Sequence, residues 1–191
     1  MLSTLSTHLR RLVRRRWPRR PVLVILAMAA ALVAAPPAYA QGEAVTVTSH
    51  SHDSGGQTPA AVVCPPHDGL PGVALNALNQ HGLDPADTYR GTSNITVCTY
   101  ALADGSLFVS GEATDQVTIT GCGTGALSYT FSGPVSAPDP VTLHRTSFIS
   151  WTVIPGSGTG DLAGITGTAT LIGDIGPLLT EDGLFTGTLF C

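Results

Sequence analysis

The chain contains no lysine, and its arginines are almost all confined to the first twenty residues. Seven of the nine basic residues precede position 21, and only Arg90 and Arg145 follow it. Residues 41–191 therefore carry two basic and thirteen acidic side chains, a formal charge of −11. Such an acidic surface repels phosphate backbones and anionic lipids, which argues against nucleic acid as a partner. The missing lysine also excludes Schiff-base chemistry on a lysine amine.

The first forty residues show three zones. An arginine-rich stretch precedes an apolar run from Pro21 to Ala35, and Ala-Pro-Pro-Ala-Tyr-Ala follows, with small residues at Ala38 and Ala40. This order is typical of a signal peptide, so we expect residues 1–40 to be removed and a secreted protein to begin near Gln41. A retained anchor is the alternative, but the run is shorter than the ~20 residues of a spanning helix. We therefore expect no membrane span after cleavage.

Four cysteines follow the predicted cleavage point: Cys64, Cys98, Cys122 and Cys191. An even number in an exported chain predicts two disulfides. The spacings contain no paired C-x-x-C motifs, which argues against a cysteine zinc site. Three connectivities are open. We favour Cys64–Cys98 and Cys122–Cys191, because a bond to the last residue ties down a strand that otherwise frays.

The N-terminal third is less regular than the rest. Residues 41–60 are small and polar, which predicts a flexible segment with one strand near Ala44 to Thr48. Residues 61–191 are expected to form the disulfide-bonded domain. Within it, Val73 to Gln80 has apolar residues at helical spacing and Gly82 as a stop, which predicts one short N-terminal helix.

From Asn94 onward, segments of alternating polarity are separated by glycine-rich turns, which predicts consecutive antiparallel strands. Leu127, Tyr129 and Phe131 alternate with polar residues, and so do Ile149, Trp151 and Val153. Closure removes the exposed edges of such a sheet. We therefore predict an all-β fold, a small closed antiparallel barrel of about eight strands, with a two-sheet sandwich as the alternative.

Two stretches resemble known proteins. Gly-Cys-Gly-Thr-Gly at 121–125, followed by Leu-Ser-Tyr-Thr at 127–130, resembles a strand lead-in of actinobacterial secreted proteins of unassigned role. Residues 151–167 resemble the strand–turn–strand signature of the allene oxide cyclase-like barrel group, which includes plant dirigent proteins. The resemblance implies an eight-stranded barrel with an apolar interior, which in some members shapes reactive intermediates without a cofactor. Dirigent arginines correspond to Ala163 and Thr166 here, so no catalytic residue is carried over.

The aromatic side chains of the predicted strands are the candidate lining of a cavity. The ligand-binding candidates are Tyr129, Phe131, Trp151 and Phe190, with Glu112 and Arg145 as polar contacts. Glu112 and Asp115 have opposite strand parity, so they do not form a carboxylate pair by position. A pair between Arg145 and Asp139 is the structural alternative for that arginine.

Histidines give two weaker candidates. His50, His52 and Asp53 suggest a metal site, but no further ligand is fixed nearby, so we predict no metal. His67, Asp68 and His81 suggest a base with its orienting acid, although turn residues are the simpler interpretation.

No cofactor or nucleotide motif is present. The leading hypothesis is a non-enzymatic module that binds a small apolar ligand or interacts with the cell envelope. The alternative is a cofactor-free cyclase or isomerase, which needs an inward-facing carboxylate or histidine with a shifted pKa. The sequence does not decide whether the protein is an enzyme.

Overall fold

The computed structural model describes residues 42–53, 56–178 and 180–191, and the predicted signal peptide lies outside these ranges. Their regular structure is almost entirely β. The strands are β1 Ala44–Asp53, β2 Thr58–Pro59, β3 Val73–His81, β4 Tyr89–Ala101, β5 Leu107–Ile119, β6 Gly123–Val135, β7 Arg145–Val153, β8 Thr166–Ile175 and β9 Glu181–Phe190. A short 3-10 turn covers Gly160–Leu162.

The sheet closes on itself. Strands β3 to β9 pair antiparallel in chain order, β9 pairs with β1, and β1 returns to β3 through Ser51–His81 and Asp53–Asn79. The two-residue β2 pairs with β3 beside this ring. The result is a closed eight-stranded antiparallel barrel with one extra strand, which confirms the predicted all-β barrel over the sandwich.

The interior follows the two-residue period of the strands. Leu127, Tyr129 and Phe131 are buried along β6, and Ile149 and Trp151 along β7, as the alternation predicted. Leu162 and Ile165 are also buried, and they lie in and just after the 3-10 turn, which contacts β6. The interior residues of all eight barrel strands therefore form one core.

The predicted helix from Val73 to Gln80 is wrong, because these residues form strand β3. The strand pairs with β4 along its full length, from Val73–Thr99 to His81–Gly91. Leu75 and Ala77 face the interior with Asn79 and His81, whereas Leu78 is exposed. Pairing with a long neighbouring strand outweighs a helical pattern of only eight residues.

The predicted flexible segment also contains more structure than expected. Ala44–Asp53 is a ten-residue strand that pairs with β9 from Ala44–Phe190 to His52–Asp182. Its inward side chains include Val47, Ser49 and Ser51. The strand predicted near Ala44 to Thr48 is therefore longer than expected, and β1 is one of the eight strands of the wall.

Both disulfides have the predicted connectivity, Cys64–Cys98 and Cys122–Cys191. The first fastens the segment before β3 to the outside of β4, where the Tyr100 hydroxyl donates to the Pro65 carbonyl at 2.8 Å. The second joins the turn after β5 to the last residue. Two disulfides indicate an oxidising, non-cytoplasmic environment. In the described ranges, no helix is both long enough and apolar enough to cross a bilayer.

Candidate functional site

A cavity of about 170 Å³ occupies one half of the barrel interior. Phe131 and Trp151 border it as a stacked pair with ring centroids 4.5 Å apart. Aliphatic side chains supply most of the remaining wall: Leu75, Ala77, Ile95, Val97, Leu107, Val109, Val135, Ile149, Leu171 and Ile175. The cavity is thus a mainly apolar space with an aromatic side.

Polar side chains form an arc on one side of this cavity. The members are Asn79, Asp53, Glu181, Ser147 and Arg145. Strand register explains the arc: Asp53 pairs with Asn79, and the ladder that pairs His52 with Asp182 brings Asp53 opposite Glu181. We call these five residues the polar arc.

Glu181 is a half-buried acid of the arc and lies beside the buried Asp53. The Ser147 hydroxyl donates a hydrogen bond to Glu181 Oε1. Burial raises the pKa of the Glu181 carboxyl; the Ser147 hydrogen bond opposes this rise and the nearby Asp53 adds to it. The side chain fits because residue 173 on β8 is glycine: a Cβ there would collide with Glu181 Oε1 and lie 2.7 Å from Ser147 Oγ.

Arg145 is held by backbone carbonyls rather than by a carboxylate. Its Nη1 donates to the Gly105 oxygen at 2.9 Å and to the Ser136 oxygen at 3.0 Å. The pair with Asp139 suggested by the sequence is not formed, because that carboxylate accepts the backbone N–H groups of Val141 and Thr142. These two carbonyls belong to the connections beside β5 and β6, so Arg145 is anchored at the rim of the cavity.

A second polar group lies deeper, in the layer between the cavity and the opposite end. The Tyr89 hydroxyl donates to Asp115 Oδ2, and the Tyr129 hydroxyl donates to the Tyr89 oxygen at 3.3 Å. His81 Nε2 lies 2.7 Å from Ser93 Oγ. We call these five residues the buried network. It is packed by aromatic rings, with Phe185 centred 5.1 Å from Tyr89.

Burial controls the protonation of the buried network. It raises the pKa of Asp115 to about 6, although hydrogen bonding to Ser93 and Tyr89 works against the rise. It lowers the pKa of His81 to about 4, with Asp87 opposing the shift, so this imidazole is neutral at pH 7. Asp115 Oδ1 and His81 Nδ1 have no hydrogen-bond partner in the described part of the chain; the Ser93 interaction with Asp115 is therefore weaker than a well-formed hydrogen bond.

The predicted ligand-binding residues are divided by the structure. Phe131, Trp151 and Arg145 line the cavity, and Tyr129 lies below it in the buried network. Glu112 is exposed. Phe190 is half-buried and has opposite parity to the inward Phe185 and Leu189, so its predicted interior position is wrong. Asp53 and Glu181 were missed.

Strand parity was the signal that would have found Glu181, which has the same parity as Phe185 and Leu189. The same signal identifies Asp115, an acid singled out from the sequence, as inward, because it has the parity of Val117 and Ile119. The Asp-Gly pair after Glu181 instead suggested a turn. Asp53 gave no such signal, because its inward neighbours Ser49 and Ser51 are small and polar.

The candidate histidine metal site does not assemble. His50 Nδ1 lies 3.0 Å from Asp87, His52 Nδ1 lies 2.6 Å from Asp182, and Asp53 faces the interior. Across residues 42–53, 56–178 and 180–191, no three histidine, cysteine, aspartate or glutamate side chains are grouped to hold a metal ion. His67, next to Asp68, stacks on Phe108 at 4.0 Å outside the barrel, whereas His81 is buried inside it, so these residues do not form one site.

The fold and site define a class, a small closed antiparallel β-barrel with an internal cavity. No protein-family model matches the chain, and no curated protein matches it. Solved structures do show a likeness. One is a protein of unknown function from the DUF3224 family of Shewanella oneidensis MR-1, which is 19% identical, with a TM-score of 0.49, over 78% of this chain and 97% of that chain.

Proposed function

We propose that the barrel binds a small, largely apolar molecule in its cavity. The observation that carries the proposal is the space of about 170 Å³ between an apolar wall and the polar arc. An apolar cavity of about 150 Å³ is large enough for benzene, whereas drug-sized ligands occupy about 300 Å³ or more. The expected ligand is therefore about the size of one substituted ring, with burial of its apolar surface supplying most of the affinity.

Filling the cavity tests this proposal. Ala77 lines it from β3, so Ala77→Phe should place a ring in the space. Gln80→Phe is the matched control, because Gln80 is exposed on the same strand. Toluene at saturating concentration should raise the Tm of the parent protein and of Gln80→Phe, but not that of Ala77→Phe. No rise in the parent, or an equal rise in Ala77→Phe, would contradict the proposal.

A cofactor-free cyclase or isomerase is the second candidate. The observation that favours it is the Glu181 carboxyl beside the cavity, whose raised pKa suits a general acid. The resemblance to the allene oxide cyclase-like group supports the same activity. Denaturing extraction and mass spectrometry would identify the molecule that the protein retains, and NMR after incubation would show whether it is isomerised. If that molecule is recovered unchanged after the incubation, the protein is a binding protein and not an isomerase.

We also propose that the chain acts outside the cytoplasm after removal of residues 1–40. The two disulfides support this location. Intact-mass measurement of the exported protein should give a start at Gln41 with no free thiol. A start well away from that residue would contradict the proposed processing. An envelope role would instead use the outer face of the barrel and leave the cavity variants without effect.

A further inference from the structure

We infer that the cavity selects small organic cations, such as a primary amine on a ring, through the neighbouring carboxyl groups of Asp53 and Glu181. The inference rests on the proposed function and names the class of ligand. It combines three features of the cavity: two neighbouring acids, an arginine held by backbone carbonyls, and aromatic rings in the same lining.

The two acids lie next to each other by register. Asp53 ends β1 and Glu181 begins β9, and continuation of the β1–β9 ladder past His52–Asp182 places them opposite each other. Both side chains line the cavity. Neighbouring carboxylates disfavour each other's ionised state, and a cation placed beside them removes that cost. An ammonium group would therefore gain more from this position than a neutral group.

Arg145 is not paired with Glu181. Its two Nη1 hydrogen bonds go to the Gly105 and Ser136 carbonyls, and Glu181 Oε1 accepts from Ser147. The lining thus holds two carboxyl groups against one guanidinium. Its net charge is negative when both acids are ionised, and the surrounding chain from residue 41 has the same sign. Both charges attract a cationic ligand.

Glu181 keeps an acceptor available. Ser147 occupies Oε1, and Oε2 receives no hydrogen bond from the described residues. The stacked rings of Phe131 and Trp151 border the same cavity, and aromatic rings attract cations. The aliphatic side chains of the lining suit the ring of the ligand. The expected orientation therefore has the amine at the polar arc and the hydrocarbon against β4 and β5.

Three probes of one size distinguish the alternatives: benzylamine, benzyl alcohol and benzoate, titrated calorimetrically into the purified disulfide-bonded protein at pH 7.5. Benzylamine should bind roughly tenfold or more tightly than benzyl alcohol, since hydrogen bonds to charged groups are the stronger class. Benzoate should bind weakest. Glu181→Gln should weaken benzylamine about tenfold and change benzyl alcohol by less than about threefold.

Two further variants separate position from charge. Asp182→Asn removes the same charge from the adjacent position, which is outward and exposed. The ratio of benzylamine affinity to benzyl alcohol affinity should therefore stay as in the parent. Gly173→Ala adds a Cβ where Glu181 Oε1 now lies, so it should reduce the benzylamine preference while Glu181 is still present. Circular dichroism of each variant checks that it is folded.

The outcomes separate this inference from the proposed function. Equal binding of amine and alcohol by the parent, a preference for benzoate, or an equal loss of both ligands in Glu181→Gln would overturn the cation selectivity and leave a cavity-binding protein. Binding of none of the probes, together with no effect of toluene, would overturn both. The parent's amine-to-alcohol ratio needs no variant, so it decides the question even where a substitution prevents folding.

Discussion

The two halves of the barrel interior hold acids in different surroundings: the buried Asp115 in one half, and the half-buried Glu181 beside Asp53 in the other. Asp115 lies in the buried network and receives the Tyr89 hydroxyl, which in turn accepts from Tyr129. Glu181 lies at the open space, and among the described residues it receives a hydrogen bond from the Ser147 hydroxyl alone. Burial raises the pKa of both. The difference is the neighbour: Asp115 is surrounded by the protein's own side chains, whereas Glu181 borders room for another molecule.

This contrast separates Asp115, whose hydrogen bonds contribute to the stability of the fold, from Glu181, whose position lowers stability. A buried carboxyl inside a hydrogen-bond network stabilises the arrangement of its partners, and its removal leaves them unsatisfied. A buried carboxyl beside a void adds desolvation cost without comparable internal gain. Substitution of Asp115 should therefore change mainly stability, whereas substitution of Glu181 should change mainly ligand binding.

The largest expected effect comes from the Cys122–Cys191 disulfide, which lies outside the cavity lining. Cys122→Ser with Cys191→Ser opens a loop of 69 residues and should lower the free energy of unfolding by about 4 kcal/mol. Chemical denaturation measures this loss. Toluene affinity of the folded fraction should stay unchanged, because Cys122 and Cys191 do not line the cavity. A lost affinity would show that the two halves are coupled.

The next effect is a pair of opposite pH dependences within the buried network. The folded pKa of Asp115, about 6, exceeds its unfolded value of 3.8, so its contribution to stability is lost as pH rises from about 4 to 6. The folded pKa of His81, about 4, is below its unfolded value of 6.5, so its contribution is lost as pH falls from about 6.5 to 4. Each change corresponds to about 3 kcal/mol.

Single substitutions should reveal these cancelling terms. Between pH 4 and 6.5, the stability of Asp115→Asn should rise with pH more steeply than that of His81→Gln, because the first keeps only the His81 contribution and the second only that of Asp115. The remaining titratable groups are common to both variants, so the difference between their slopes isolates the two residues. Urea denaturation at several pH values measures it. Equal slopes, or a more positive slope in His81→Gln than in Asp115→Asn, would contradict the assignment.

A smaller effect separates the two tyrosines of the network. Tyr89→Phe removes the phenol that donates to Asp115 and should cost about 2 kcal/mol at pH 7.5, since this hydrogen bond is to a charged group. Tyr129→Phe is the matched control. Its hydroxyl contacts only the Tyr89 oxygen at 3.3 Å, so it should cost about 1 kcal/mol or less. Equal losses would place the two hydroxyls in equivalent roles.

The smallest expected change belongs to Glu181. Glu181→Gln keeps an oxygen to accept the Ser147 hydroxyl and removes an acid whose pKa is raised by burial, so stability at pH 7.5 should rise by less than about 1 kcal/mol. Thermal denaturation measures it against Asp182→Asn. A loss of several kcal/mol would make Glu181 a structural acid like Asp115.

The sequence predicts the strands of this barrel better than the polar residues in its interior. Alternation placed Phe131, Ile149 and Trp151 correctly, because a strand with one buried face leaves a two-residue pattern. Both disulfides were also predicted. The pattern failed at β3, where Val73, Leu75 and Leu78 mimic helical spacing although Leu78 is exposed. Pairing with β4 decides this segment, and pairing is not visible in a single sequence.

The site was less predictable because polar interiors leave weak patterns. Glu181 stands at the first residue of its strand, where an Asp-Gly pair predicts a turn and hides its parity with Phe185. The partnership of Asp53 with Glu181 depends on the register between the first and last strands, more than 120 residues apart in the chain. Phe190 shows the converse error, since an aromatic residue in a strand need not face inward.

The seam where the barrel closes joins its first and third strands. Among the described residues, β1 and β3 are paired along Ser51–Asp53 and Asn79–His81, whereas β4 and β5 are paired along their whole lengths. Asp53 and Asn79 both border the cavity. Local opening of this ladder would therefore give a ligand a route into the cavity between β1 and β3. Amide protons of the ladder should exchange with deuterium sooner than those of β5, and they should exchange more slowly once a ligand is bound.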